Sequence, residues 1–276
     1  MLRRCGAGEI PVTIALMNLA QMTSGRVEAG GLVKRAMAAK GTGRERLQEL
    51  AVLLREHANA HEIVRRIDGA FTPCAPGVPE AEHWAAMFDG AARISPEACV
   101  ALYSFGDPAL LGKITDELIS TLLEWDVVRA PSRVLDYGCG IGRVSARLAP
   151  HVGEVVAVDV STVMLREARE RLAGLANVSL MPAADLSSKE GVFDLILLVD
   201  VCPYFAKPGE VLAGLLPHLA AGGSLIAMNW SYSIGPVAER EAARDFARVH
   251  ALALVRDGTV EFTLWDGLVF HFRKAI

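Results

Sequence analysis

The 276-residue chain is 52% hydrophobic and 22% charged, the balance of a globular protein with a sizeable core, and its length admits one large domain or two modest ones. A net charge of −4 and a sequence pI of about 6.0 leave no basic excess for gripping a phosphate backbone, which disfavours a nucleic-acid partner. The five cysteines (Cys5, Cys74, Cys99, Cys139 and Cys202) are widely spaced and form no CxxC pair, so no metal site and no disulfide framework is expected, and reduced thiols in a cytoplasmic protein are the simpler reading.

In chain order, the first stretch, MLRRCGAGEIPVTIALMNLA, resembles a leader only until Glu9 and Pro11 interrupt it. No uninterrupted apolar run approaches the ~20 residues of a membrane span, and no membrane partner is expected. Residues 11–70 read as helical. Leu47, Leu50, Leu53 and Leu54, then Ile63 and Ile67, recur near a 3.6 period, and KGTG (Lys40 to Gly43) is expected to break two of the helices. Pro73, Pro76 and Pro79 in FTPCAPGVPEAEHW each disfavour helix locally, which marks a linker and a boundary. Residues 81–130 are helical again with a break at SFGDP, where Asp107 reads as an N-cap and Pro108 as the first helical residue.

From Val134 the rhythm changes to short apolar runs alternating with amphipathic ones: RVLDYG, VSARLAPHV, EVVAVDVS, TVMLREARERLAGL, NVSLMPAAD, FDLILLVDV, PGEVLAGLLPHLAAGG and SLIAMNW. The alternation implies βαβ units and an α/β fold with a doubly wound, mostly parallel sheet covered on both faces. The glycines of LAAGG read as the end of a helix. The tail ALALVRDGTVEFTLWDGLVFHFRKAI carries two Asp-Gly turns among alternating apolar residues, which suggests an antiparallel strand pair closing one side of the sheet.

The first apolar run leads into Gly138-Cys139-Gly140-Ile141-Gly142, with Asp136 two residues before it. Glycine-rich turns after a first strand often cradle a pyrophosphate. A carboxylate at Asp136 is a poor neighbour for a pyrophosphate and a good one for an ammonium group. The strings VLDYGCGIGR, VVAVDVS, AAD, FDLILLVDV and LLPHLAAGGSLIAMNW, in that order and spacing, resemble the class I S-adenosylmethionine-dependent methyltransferases over about residues 100–276. The acid Asp159 follows the last glycine, Gly142, by 17 residues.

The resemblance implies S-adenosylmethionine as cofactor and assigns its contacts. Asp159 would accept hydrogen bonds from the ribose hydroxyls, or merely cap the next helix. Gly138, Gly140 and Gly142 would let the backbone pass under the methionine part, or form a plain tight turn. Asp136 would face the ammonium end, directly or through water, or bond nearby backbone amides. Asp185 and the Leu186 amide would hold the adenine, or Asp185 is a solvated loop acid. Val160 and Val199, beside Asp159 and Asp200, complete the expected contacts. Cys139 lies in the same turn and reads as a small packing residue. Arg143 would meet the cofactor carboxylate or face solvent at a helix start. Tyr103, in LYSFGDP, would fold over the cofactor as a segment in that place does in the family, or pack within its helix.

Acceptor-side candidates follow the fourth strand, because ligands sit at the carboxyl ends of strands in such sheets. There Asp200 would act as base or orient the acceptor, or cap a turn. Tyr204 stands where relatives often carry histidine and would line the pocket or pack. VDVCPYF differs from the Asn/Asp-Pro-Pro-aromatic string of amino-directed DNA and glutamine methyltransferases, which argues against those substrates. Trp230 and Tyr232 are pocket-wall candidates, and His83, beside Trp84, is a further one; His151 and His218 read as helix-end residues.

The expected organisation is a helical region over 1–75 that serves as lid, assembly or substrate element, with a homodimer through its helices as one outcome. A helical linker and cofactor-covering segment over 76–130 follows, then a cofactor-binding Rossmann-like domain over 131–276. The expected activity is methyl transfer to an O or N atom of a small-molecule acceptor, mainly by positioning. The rivals are an aminopropyl transferase on the same fold and a non-catalytic scaffold that retains it.

Overall fold

The computed structural model describes residues 1–39, 43–259 and 262–276. Lys40, Gly41 and Thr42 of the predicted KGTG break lie outside the described residues. Helix α1 covers Leu2–Gly6, α2 Val12–Met22, α3 Arg26–Ala38, α4 Arg44–Glu56 and α5 Ala60–Ala70. After the proline-rich stretch come α6 (Glu80–Ala92), α7 (Pro96–Val100) and α8 (Pro108–Glu124). Strands and helices then alternate: β1 (Arg133–Tyr137), α9 (Arg143–Leu148), β2 (Glu154–Asp159), α10 (Thr162–Arg171), β3 (Val178–Pro182), β4 (Phe193–Val199), α11 (Pro208–Leu215), β5 (Leu219–Met228), α12 (Pro236–Val249), β6 (Ala253–Thr259) and β7 (Val269–Arg273).

The chain divides into two compact units. The first comprises Met1–Pro73, Met87–Ile114 and Phe262–Asp266. Its helices bury one stripe each, as the leucine spacing predicts: Leu16 and Leu19 on α2, and Leu47 and Leu50 on α4, are fully buried. The Thr13 hydroxyl donates to the Leu264 carbonyl at 2.6 Å, tying in the distant segment. Asp107 caps α8 as its sequence predicts, accepting the Ala109 and Leu110 amides at 2.7 and 3.2 Å.

The second unit, Cys74–Ala86, Thr115–Glu261 and Gly267–Ile276, holds a seven-stranded sheet in the order β3-β2-β1-β4-β5-β7-β6. The first five strands are parallel, and β7 is antiparallel to both β5 and β6. The strand order reverses between β1 and β4, which opens a crevice at their carboxyl ends. The central strands are buried on both faces, which is why they read as continuous apolar runs. Among the described residues no helix is long and apolar enough to cross a membrane.

Two local readings are corrected, and one element is added. The glycines of LAAGG do not end a helix: β5 begins at Leu219, and its register against β4 shifts between the Phe193–Leu219 and Leu195–Ser224 pairs. A Cβ at Gly223 would lie 2.9 Å from the Ala220 carbonyl oxygen, so the bulge demands glycine for space rather than as a helix stop. Asp257-Gly258 is no hairpin turn. It lies inside β6, where Gly258, at φ +90°, sits in a second irregularity between Asp257 and Thr259. The same positive φ that suits a turn suits a bulge. Residues 236–249, given no element by sequence, form α12, with Pro236 at its first turn.

Candidate functional site

The crevice is built from the carboxyl ends of β1, β2 and β4. Beyond β1 the chain turns through Gly138, Gly140 and Gly142, all with positive φ. The Gly138 and Cys139 amides both donate to the Val158 carbonyl of β2, at 2.8 and 2.9 Å, which fastens the turn to the neighbouring strand. At Gly138 a Cβ would come within 2.4 Å of the Val201 side chain beyond β4. The turn therefore reaches across the crevice to the segment that carries the acceptor-side candidates. Gly142 caps α9 in the left-handed region.

Asp159 ends β2 with its carboxylate turned into this turn. One oxygen accepts the Gly140 amide at 2.8 Å and the other the Ser161 amide at 2.8 Å. The capping of the next helix, α10, falls instead to Ser161, whose hydroxyl oxygen accepts the Met164 amide. Val160, the next residue, is 37% exposed, an apolar surface at the lip of the crevice. Asp136, on β1, is 1% exposed. It is held not by amides alone but by the Ser145 hydroxyl on α9, which donates to it at 2.5 Å. Burial pushes the Asp136 carboxyl up to about 6, and nearby Asp159 adds to the rise, while the Ser145 bond and Arg143 pull the other way. Arg143 is buried and donates to the Thr115 hydroxyl at 3.1 Å, so it does not face solvent. Cys139 packs against Ala157 and Leu165, and burial raises its thiol pKa, which keeps it unreactive.

Past β3, Asp185 is exposed in a short 3₁₀ turn over Ala183–Ser188, and Leu186 is buried in the main core. Val199 is half-buried at the end of β4. Tyr103 belongs to the first unit, where it is buried and stacks on Trp265 with ring centroids 6.4 Å apart.

On the acceptor side, Asp200 follows β4 and Asn229 follows β5, both with left-handed backbone at φ +57° and +58°. The Asn229 side-chain amide donates to one Asp200 oxygen at 2.5 Å, and the Tyr232 hydroxyl donates to the same oxygen at 3.0 Å. The Asn229 carbonyl oxygen in turn accepts the Leu268 amide at 2.9 Å. Tyr204 packs edge-on between Trp84, at 5.1 Å, and Tyr232, at 6.2 Å. His83 is buried against Trp84 at 4.8 Å. Trp230 is no pocket wall. It is 5% exposed and packs edge-on among Phe246, Phe270 and Phe272.

The fold thus brings together Asp136, the glycine turn, Asp159 and Val160 on one side, and Asp200, Tyr204 and Tyr232 on the other. Ser145 and Asn229 belong to the site and escape sequence reasoning. Each is a polar residue at a place where an apolar pattern predicts another core residue, and that mismatch is the signal that could have found them.

Residues 134–223 match a family described as a methyltransferase domain. The chain is 34% identical over 113 residues to a demethylmenaquinone methyltransferase of Clavibacter sepedonicus, covering 40% of this chain and 46% of that protein. It is 37% identical over 92 residues to a 23S rRNA (uracil(1939)-C(5))-methyltransferase of Shewanella sediminis, covering 31% of this chain and 21% of that protein. The chain therefore spans less than half the length of these two relatives. Among solved structures it resembles magnesium protoporphyrin IX methyltransferase from Synechocystis PCC 6803 with bound SAM, at a TM-score of 0.55 and 17% identity, over 73% of this chain and all of the other. At that identity the likeness is one of fold.

Proposed function

We propose that this chain, whose residues 134–223 form a class I S-adenosylmethionine-dependent methyltransferase domain, transfers a methyl group to a nucleophilic atom of a small-molecule acceptor. The observation that carries the reading is the convergence of a buried carboxylate, Asp136, with a three-glycine turn and a second carboxylate, Asp159, at the carboxyl edge of one sheet. The groups suit a ligand with a ribose, an adenine and a positively charged amino-acid end. Asp159 is pinned in orientation by two amides and accepts the ribose hydroxyls in charge-assisted bonds. Val160 offers apolar surface to the adenine face, and Asp185 with the Leu186 amide meets its edge. Asp136 compensates the ammonium, and the glycine turn leaves room for the chain between.

When bound, S-adenosylmethionine supplies a methyl carbon already activated by a positive sulfur, so the acceptor lone pair forms the new bond while the carbon–sulfur pair returns to sulfur. The protein's part is alignment. Holding the two partners in line is worth ~7–11 kcal/mol. Asp200 and Tyr204, on the segment whose Val201 lies against Gly138, orient the acceptor. The net charge of −4 and the aromatic lining favour a small molecule over a nucleic-acid backbone.

Isothermal titration with S-adenosylmethionine and with its demethylated product tests the reading. Micromolar binding of both is expected. Failure of both to bind at millimolar concentration overturns it, and a preference for the decarboxylated cofactor would reassign the chain to aminopropyl transfer.

A further inference from the structure

Past the carboxyl ends of β4 and β5, aromatic rings and a carboxylate come together. Three aromatic rings, Trp84, Tyr204 and Tyr232, form a continuous edge-to-face chain with successive centroids 5.1 and 6.2 Å apart. The same wall carries a carboxylate, Asp200, to which the Tyr232 hydroxyl is bonded. Tyr232 is 64% exposed, so its ring presents surface to solvent beside Asp200. Its hydroxyl is nonetheless fixed to a carboxylate that is itself fixed by Asn229. Two further carboxylates bond the backbone beside these rings. Glu80 bonds the Ala206 amide at 2.7 Å, and Glu239 bonds the Ser231 amide at 3.2 Å. Lys207, on the same loop as Tyr204, is drawn to Glu210 at 2.7 Å.

Ring faces and carboxylates share one preference: both attract a cation, and both repel an anion. Resting on the methyltransferase reading above, we infer that the acceptor is an organic amine bound as its ammonium ion against Asp200 and the Trp84–Tyr204–Tyr232 rings, which makes the transfer an N-methylation. A carboxylate or phenolate acceptor meets repulsion at the same wall. Asn229 is the positioning residue: with its own left-handed backbone and its bond from the Leu268 amide, it holds the Asp200 carboxylate at one orientation.

The bound ammonium gives one proton through Asp200 to bulk water and exposes its lone pair. The nitrogen–carbon bond forms as the carbon–sulfur bond breaks toward sulfur. The product leaves as a methylated ammonium, one positive charge as on entry, and the cofactor's sulfonium charge leaves as the released proton.

Binding of a charged and an uncharged probe tests the inference directly. The full chain, saturated with the demethylated cofactor, is titrated with choline and with its uncharged carbon isostere 3,3-dimethylbutan-1-ol. Choline is expected to bind at least about tenfold more tightly than the isostere, as a charge and ring faces imply. Asp200→Asn, which keeps the left-handed backbone that asparagine tolerates, should erase most of that preference. Tyr204→Leu is the second variant and should weaken choline several-fold through the ring alone. Equal binding of the two probes, no choline binding, or an unchanged preference in both variants overturns the amine assignment. Binding of the demethylated cofactor in the same samples reports separately on the methyltransferase reading: if it binds and choline does not, only the amine inference falls.

Discussion

The Gly140 amide donates to the Asp159 carboxylate at 2.8 Å, so the acid at the end of the second strand holds the glycine turn that follows the first. One side chain thereby shapes the cradle and presents charge to whatever enters it. Asp159→Ala should weaken binding of the demethylated cofactor by about 1.5–3 kcal/mol, through lost charge-assisted hydrogen bonds to the ribose and a looser turn. Isothermal titration measures it, with thermal unfolding as the control for folding. An unchanged affinity would mean that Asp159 serves the turn alone.

Asp136 gives a pH signature with two opposite arms. Its carboxyl is raised from 3.8 to about 6 by burial, so the folded state binds the proton more readily than the unfolded state. The stability this contributes is whole below pH 3.8 and is lost as pH rises through about 6, up to about 3 kcal/mol in all. Cofactor affinity runs the other way, because only the ionised form compensates an ammonium, and should fall as pH drops from 7.5 to 5. Asp136→Asn keeps an oxygen for the Ser145 hydroxyl. The variant should be more stable at pH 7.5, bind the cofactor more weakly there, and show a flat affinity profile. A variant with the wild-type pH profile would show that another group titrates.

Gly138 stands under two separable constraints. Its φ of +77° costs a side-chain-bearing residue ~1–2 kcal/mol, and the Cβ of an alanine would lie 2.4 Å from Val201. Gly138→Ala should lower stability by about 2–4 kcal/mol in denaturant unfolding. In a Val201→Ala background the same change should cost only the backbone part. Equal costs in both backgrounds would show that Val201 moves aside freely.

The parallel core was legible because β2 and β4 are buried on both faces and so carry runs such as VVAV and LILLV, which only a covered sheet accommodates. Asp136, the glycines and Asp159 were legible because backbone geometry and charge need those residue types at that spacing. Ser145 and Asn229 were not, since their partners lie 9 and 29 residues away and only the fold brings them together. Gly223 and Gly258 misled, because a glycine that a bulge requires for space or for positive φ reads like one at a helix end or a turn. Trp230 misled because an aromatic just past a strand edge can turn inward, and here three phenylalanines receive it.

The helix that sequence reading passed over, α12, carries the last prediction. Its Glu239 is 6% exposed, and one carboxylate oxygen accepts the amides of Trp230 and Ser231 at 2.9 and 3.2 Å. The bond fixes the chain where it leaves β5 and so sets the loop that presents Tyr232 to Asp200. Glu239→Ala leaves two amides without their acceptor and should destabilise the protein by about 2–4 kcal/mol. Glu239→Gln retains a carbonyl oxygen and should lose only the charge-assisted part, about half as much. Hydrogen exchange at the Trp230 and Ser231 amides separates this from a general loosening: both should exchange faster in the alanine variant, while amides within β2 and β4 keep their protection. Faster exchange throughout the sheet would instead make Glu239 a support of the whole core, with no particular hold on the Tyr232 loop.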